Sequence, residues 1–417
     1  MTDLVTRAAP ARQSALRRAA PALLGYAAVR ALGLVALAVW SAARGKSAHT
    51  LLTARWDSLW YARVADGGYG YEVRLANGDV HSDLAFFPLL PGLERLLAAV
   101  APLSLADAGL VVSLLASLAA AWGIFAVADH VYGRGARDVE RGLGRAAEGE
   151  RRAGICAVLL WAVLPVGIVQ SMAYSESLFT ALAAWSLYCV LTGRWVAAGS
   201  LALLAGLTRP VGLAVVAAVW TAAVISFVRN RSATGPHGAR ATSHAPADGP
   251  RSPGRPALGM LLAPLGAAGY VLWVGHRTGT GPFGYLDVQA GWRNGFDGGY
   301  AFARFVADKL TSFPSALAGL GLIAGVALVI WLYVAGARQG QPLPLLVYSG
   351  VVTALALCAS SYFGSKPRLL LPAFPLLFPL AVALARARVP RSAAVVGAVA
   401  LASALYGAFW LNGSGPP

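Results

Sequence analysis

Two carboxylates and three cations stand out in this chain, because each sits beside or between apolar runs where charge is costly. Arg55-Trp56-Asp57-Ser58-Leu59-Trp60-Tyr61 offers a carboxylate among aromatic rings. A carboxylate at a water–lipid boundary can accept the proton of an attacking hydroxyl, so Asp57 is a candidate general base. The competing reading is an interfacial aromatic helix in which Asp57 caps the helix or pairs with Arg55 or Arg63. Tyr174-Ser175-Glu176-Ser177 separates two further apolar runs. Ser175 followed by an acid suits a helix start, where the macrodipole favours negative charge. A cap there would also hold Glu176 at the floor of a site.

The cations are Arg209, in Thr208-Arg209-Pro210, and Lys366 and Arg368, in Ser365-Lys366-Pro367-Arg368. An arginine held at the bilayer centre costs roughly 2.5–3.5 kcal/mol on insertion scales. Snorkelling to the interface relieves that cost. On the outer side, however, it would break the positive-inside pattern, and cations placed there call for an anionic partner. A lipid phosphate at headgroup depth is the natural one, bound by Arg209 and by Arg368 with Lys366. The stretch 277–312 adds Tyr285, Asp287, Gln289, Trp292, Arg293, Asn294 and Phe296. Rings mixed with amides suit carbohydrate, and they suit an ordinary interfacial loop as well.

Composition explains why these charges matter. Of 417 residues, 57% are hydrophobic and 12% charged, against about 25% charged in soluble domains. Apolar runs of 18 residues or more recur, long enough to cross a hydrocarbon core of about 30 Å. The net charge of +16 would suggest nucleic acid in a soluble protein. Here the arginines cluster between apolar runs, as in cytoplasmic loops, so nucleic acid is not the expected partner. Cys156, Cys189 and Cys358 lie inside apolar runs without disulfide or metal spacing, and the six histidines form no HExxH motif. No tightly bound metal or cofactor is expected, although Asp57 with Asp83 or Glu176 offers a weak divalent-cation site. There is no glycine-rich phosphate loop and no cytoplasmic segment large enough for a nucleotide domain. An activated donor must then arrive in lipid form.

The elements that position these residues read as an all-α, polytopic integral membrane protein of about 11 spans. The first run, Pro21 to Ala43, is too long for a signal-peptide core and reads as an uncleaved anchor. Later spans fall near 109–130, 153–172, 175–192, 197–208, 210–228, 258–276, 314–335, 343–362, 369–385 and 392–411. The chain divides into a cytoplasmic segment 1–20, a module 21–228 with an outer loop 45–84, a Pro/Gly-rich disordered loop 229–257, and a module 258–417. Arginine-rich segments at 1–20, 131–152, 229–257 and 386–391 all belong inside. That parity holds only if 85–101 does not cross; Pro88, Pro91 and Gly92 should break it into a re-entrant or interfacial segment. It also makes 197–208 a half-length or tilted span. Every polar cluster named above then falls on the outer face.

Arg55-Trp56-Asp57, Gly68-Tyr69, Ala85-Phe86-Phe87-Pro88, Ala173-Tyr174-Ser175-Glu176-Ser177-Leu178-Phe179, and Gln289 with Trp292, Asn294, Gly295 and Phe296 occur in an order that resembles the GPI mannosyltransferase II (PIG-V) family. The likeness runs from about 55 to 370. Two features depart from it: Asn77-Gly78-Asp79 is inserted, and Arg209-Pro210-Val211 stands where Arg-Ser-Asn is usual. The resemblance implies a GT-C bundle with its site on the outer side, a polyprenyl-phosphate-mannose donor and inversion at the anomeric carbon. It implies Asp57 as base, with Glu176 and the Arg209 region shaping the site; Arg55, Trp56, Tyr174, Gln289 and Trp292 are further substrate-binding or site-shaping candidates. A composition so rich in Ala, Arg and Gly suits a high-GC bacterium. The implied setting is therefore the cell (plasma) membrane, with a cell-envelope glycolipid, polysaccharide or secreted protein as acceptor. The alternatives are a lipid or polyisoprenoid-linked sugar transporter and a non-catalytic envelope-assembly protein.

Overall fold

The computed structural model describes residues 15–133, 144–233, 254–360 and 362–415. Arg7, Arg12, Arg134, Arg137, Arg141, Arg240 and Arg251 of the basic segments, and most of loop 229–257, lie outside those residues. Helix α1 (Ala15–Ala43) is followed by two short helices, α2 (Ala48–Thr53) and α3 (Asp57–Gly67), then a hairpin of β1 (Glu72–Arg74) and β2 (Val80–Ser82). The strands are antiparallel with Val73 opposite His81, and Gly78 turns the tip at φ +87°. Next come α4 (Leu89–Val100), α5 (Leu105–Tyr132), α6 (Gly144–Ala162), α7 (Ser175–Leu191), α8 (Trp195–Gly206) and α9 (Leu213–Ala233). The C-terminal part holds α10 (Gly254–Leu262), α11 (Leu265–Thr278), α12 (Gly284–Gly291), α13 (Tyr300–Leu310), α14 (Ser315–Arg338), α15 (Leu343–Cys358), α16 (Lys366–Leu369), α17 (Phe378–Arg386) and α18 (Val389–Asn412).

Among the described residues, six helices are long and apolar enough to cross a membrane: Ala15–Ala43, Leu105–Tyr132, Pro210–Arg231, Gly254–Thr278, Ser315–Arg338 and Val389–Asn412. Four shorter apolar helices and one pair bent by 77°, Phe363–Leu369 with Phe374–Arg386, occupy the remaining apolar runs. The chain is an all-α, multi-pass membrane protein. The run at 197–208 is indeed half-length, since α8 has 12 residues. Two expected spans are broken: 153–172 ends its helix at Ala162, and 369–385 contains the 77° bend. The prolines at 88 and 91 do not break α4. They sit at its N-cap and in its first turn, where no intrahelical N–H is needed, so they start the helix.

Each break leaves backbone groups that hydrocarbon cannot satisfy. After α6, the carbonyls of Ala162 and Gly167 accept from the buried Arg30 guanidinium of α1, and Gln170 donates to Trp161 O at 2.8 Å. At the bend before α17, Trp161 donates to Leu371 O (3.0 Å), Tyr348 to Pro372 O (2.9 Å) and Gln341 to Pro375 O (3.1 Å). Trp161 itself stacks on Tyr26 of α1. One break is thereby tied to the other.

Close packing uses small residues, as expected where lipid replaces water as the competing environment. Helix α5 buries Ser113, Ala116, Ser117, Ala120, Ala121 and Gly123 against its neighbours. Short α8 is clamped on α10 and α11 at glycines: a Cβ on Gly199 would strike Gly259, and one on Gly266 would strike the Leu203 carbonyl.

Helix α4 lies across α3 and α5 and buries Glu94, whose Oε2 has no hydrogen-bond partner. The carboxyl faces Gly109 of α5. Burial pushes its pKa up from 4.5 to about 9. Between those values the folded chain keeps a proton that the unfolded chain has lost, so stability is full below pH 4.5 and falls as pH rises through about 9. Glu94→Gln stays neutral and should lose that dependence. Thermal unfolding in detergent at pH 5 and pH 9 should show the wild type losing ground to the variant at the higher pH; parallel shifts would mean that Glu94 is not buried as a neutral acid.

Candidate active site

The turn before α3 is built around Arg55. Its guanidinium lies 3.8 Å from the Trp56 ring centroid and donates to Leu411 O (2.6 Å) and Gly413 O (3.1 Å), capping the C-terminus of α18. Trp56 takes φ +52°, a left-handed backbone that a tryptophan rarely adopts. This strained turn sets Asp57 at the first position of α3.

Asp57 pairs with neither Arg55 nor Arg63; the latter lies over the Tyr71 ring. Its Oδ2 is 2.8 Å from Arg368 Nη1, and Arg368 Nε is 3.2 Å from Glu176 Oε1. Glu176 Oε1 is also 2.5 Å from Arg209 Nη1. Four side chains far apart in sequence therefore form one alternating chain of charge, Asp57–Arg368–Glu176–Arg209. Each comes from a helix end or a break: the start of α3, short α16, the first turn of α7, and the α8–α9 turn. Arg209 does not snorkel.

Distances are short, but alignment is incomplete. Both Glu176 oxygens and the Nε and Nη1 of Arg368 are buried without a well-directed hydrogen bond. The ion pairs hold by proximity rather than by fork-to-fork geometry. A buried, half-satisfied charge cluster is costly to a fold and common where a ligand completes it. Exposure differs sharply along the chain: 25% for the Asp57 side chain, 14% for Arg209, 9% for Arg368 and 1% for Glu176. Asp57 faces outward, while Glu176 is sealed in.

Ser175 is not the N-cap; that position is Tyr174, whose side chain makes no cap bond. The Ser175 hydroxyl instead meets Tyr61 Oη at 2.7 Å and accepts from Arg209 Nη1 at 3.2 Å. Tyr61 lies one helical turn after Asp57, so it belongs to the same constellation, and its i+4 spacing was the available signal. Tyr174 lies under Arg368 at 5.1 Å and donates to Arg55 O at 3.4 Å.

Beside the charges stands an aromatic wall. Trp60 stacks on Phe86 (5.5 Å, 6°) and meets Trp292 edge-on (5.0 Å), while His81 stacks on Trp292 (4.0 Å, 11°). Trp292 Nε1 donates to Ser82 O at 3.0 Å. Gln289 is held at both ends, donating to Tyr285 Oη (2.5 Å) and accepting from Asn294 Nδ2 (3.1 Å). The Asn77-Gly78-Asp79 hairpin tip docks here: Arg293 Nε is 2.6 Å from Asp79 Oδ2, and that guanidinium holds the Asp79 carboxyl below its usual range.

Lys366 stands apart from the other cations. Its ammonium donates to the carbonyls of Ala356, Leu357 and Ala359 at the end of α15, between the Phe302 and Phe363 rings. All three of its protons have partners within the fold. Asp83 is also spent on structure, accepting from the amides of Gly70 and Tyr71. Glu176 and Asp57 have the Arg368 guanidinium between them, where a shared metal would have to sit.

No family model matches the chain, and no curated protein matches it. Two solved structures are similar in chain path. The crystal structure of ArnT from Cupriavidus metallidurans in the apo state is 17% identical, with TM-score 0.47 over 87% of this chain and 60% of that one. The archaeal oligosaccharyltransferase AglB from Archaeoglobus fulgidus, in complex with an inhibitory peptide and a dolichol-phosphate, is 11% identical, with TM-score 0.46 over 94% and 56%. The chain thus spans less than two thirds of the length of either.

Removing one member of a buried ion pair typically costs about 3–5 kcal/mol. Glu176→Gln should therefore lower the unfolding temperature markedly, and Glu176→Gln with Arg209→Gln should recover part of the loss. A single variant as stable as wild type would show that Glu176 does not bind the two guanidinium groups together.

Proposed function

We propose that the chain is a GT-C type glycosyltransferase that moves mannose from a polyprenyl-phosphate-mannose donor to a cell-envelope acceptor, with inversion, on the extracytoplasmic face of the plasma membrane. The observation that carries this reading is the chain of charge that is open at one end: a quarter-exposed carboxylate, Asp57, backed by two largely buried guanidinium groups beside an aromatic wall. The motif order from Arg55-Trp56-Asp57 to Phe296 supports the same reading.

In this mechanism the acceptor hydroxyl loses its proton to Asp57 as its oxygen bonds to the anomeric carbon. The bond from that carbon to the phosphate oxygen breaks, and polyprenyl phosphate leaves with the electron pair. A single carboxylate suffices, because inversion needs no covalent intermediate. Of the two cluster carboxylates, only Asp57 has the exposure to meet an acceptor; Glu176 holds the cations in register. Arg209 and Arg368 each engage their partners through Nη1, or Nη1 and Nε, leaving further N–H groups for a phosphate. Negative charge developing on the phosphate would meet these preorganised cations, the electrostatic part of catalysis. Lys366 has no place in this scheme. Trp60 and Trp292 offer faces against which a sugar ring could stack, and the Asp79–Arg293 contact fixes their edge.

Two variants test the division of labour in membranes supplied with polyprenyl-phosphate-mannose and a panel of envelope acceptors. Asp57→Asn should reduce transfer by about 10²–10⁴-fold, the usual contribution of a general base, with donor binding retained. Near-wild-type transfer would remove Asp57 from the chemistry. Arg209→Ala should act first on donor use, raising the KM for the lipid donor. An unchanged KM would reject its phosphate role.

A further inference from the structure

At the opposite end of α5 and α7 from the charge cluster lies a cavity of about 410 Å³. That is within the range of roughly 300–1,000 Å³ for small-ligand sites. Its depth follows from helix geometry. Ser113 of α5 bonds the Tyr174 carbonyl at the cluster end, and Asp129 of the cavity is sixteen residues further along α5. At 1.5 Å per residue the separation is about 24 Å. Glu176 to Tyr188 on α7 gives about 18 Å by the same rise. The cavity therefore opens in the leaflet opposite the cluster.

Its walls are aromatic and its rim is cationic. Trp122 and Trp185 meet edge-on at 5.3 Å, and Trp185 meets Tyr188 in the same way at 5.7 Å. Trp185 is fixed by donating to Ala119 O at 3.0 Å. At the rim, Arg18 of α1 is 3.3 Å from Asp129, and the exposed Arg194 of the α7–α8 turn forms no ion pair with any described residue. Tryptophan and tyrosine at this depth, below arginine, match the boundary between acyl chain and headgroup. Arg18 is paired with Asp129, and Arg194, without an ion-pair partner among the described residues, presents its charge over an aromatic trough.

We propose that this cavity binds the headgroup of an anionic phospholipid. The phosphate sits on Arg194 with Arg18 beside it, and the glycerol and upper acyl carbons lie against Trp122, Trp185 and Tyr188. A free anion would gain nothing from those three rings, whereas a lipid already in that leaflet reaches both parts of the site. The site is separate from the proposed transfer reaction and stands or falls without it.

The test uses the purified full chain in detergent, titrated with phosphatidylglycerol or with phosphatidylcholine of identical acyl chains and read by native mass spectrometry. Wild type should retain phosphatidylglycerol preferentially. Arg194→Gln should weaken that binding about fivefold, the value of one arginine near an anionic headgroup, and leave phosphatidylcholine binding unchanged. Arg194→Lys keeps the charge and should keep most of the affinity, which separates recognition from misfolding. Equal retention of the two lipids, or equal phosphatidylglycerol binding by wild type and Arg194→Gln, would overturn the proposal. So would displacement of phosphatidylglycerol by millimolar inorganic phosphate, which would make this a free-anion site.

Discussion

The guanidinium of Arg368 lies between the carboxylates of Asp57 and Glu176, and much of the surrounding structure serves that contact. Hydrocarbon does not tolerate a lone charge, so a cation held near apolar helices must find anions, and those anions must be held in turn. Glu176 answers Arg368 on one side and Arg209 on the other. Two carboxylates and two guanidinium groups cancel in number, yet their hydrogen bonds are only partly directed. The cluster is neutral without being saturated.

Helix breaks deliver these side chains. An unbroken α-helix presents its side chains laterally and uses up its backbone groups internally. Bringing Glu176, Arg209 and Arg368 to one place requires the chain to stop and turn inside a largely apolar bundle. Each turn is stabilised by donors from elsewhere: Arg30 and Gln170 after α6, and Trp161, Tyr348 and Gln341 at the bend before α17. Arg55 plays the same part for the end of α18. Several buried polar residues that take no part in the charge cluster are accounted for by this demand.

The convergence of Asp57, Glu176, Arg209 and Arg368 was legible in the sequence, because charge between apolar runs has few tolerable places to go. Parity of the basic segments also marked α8 as half-length. Where the reading failed, side-chain chemistry was read without backbone demand. Lys366 looks like Arg368 in sequence, but an ammonium suits a ring of carbonyls at the end of α15 better than a fork does. Ser175 has the type and setting of a cap, yet Tyr61 one turn beyond Asp57 claims its hydroxyl. Pro91 reads as a breaker until its place in a first turn is known. The bend at 370–373 falls in a run apolar enough to cross, and hydropathy is blind to direction.

The central claim is that the charge cluster and its aromatic wall form one mouth on one side of the membrane. The most direct test replaces the native cysteines and introduces single ones at exposed positions: Leu59 on α3, Phe296 after α12 and Tyr362 before α16, with Leu16 at the start of α1 as the opposite marker. In intact cells, a membrane-impermeant thiol reagent should label 59, 296 and 362 and leave 16 unlabelled until the membrane is opened. Labelling of 59 and 362 from opposite sides would contradict the account.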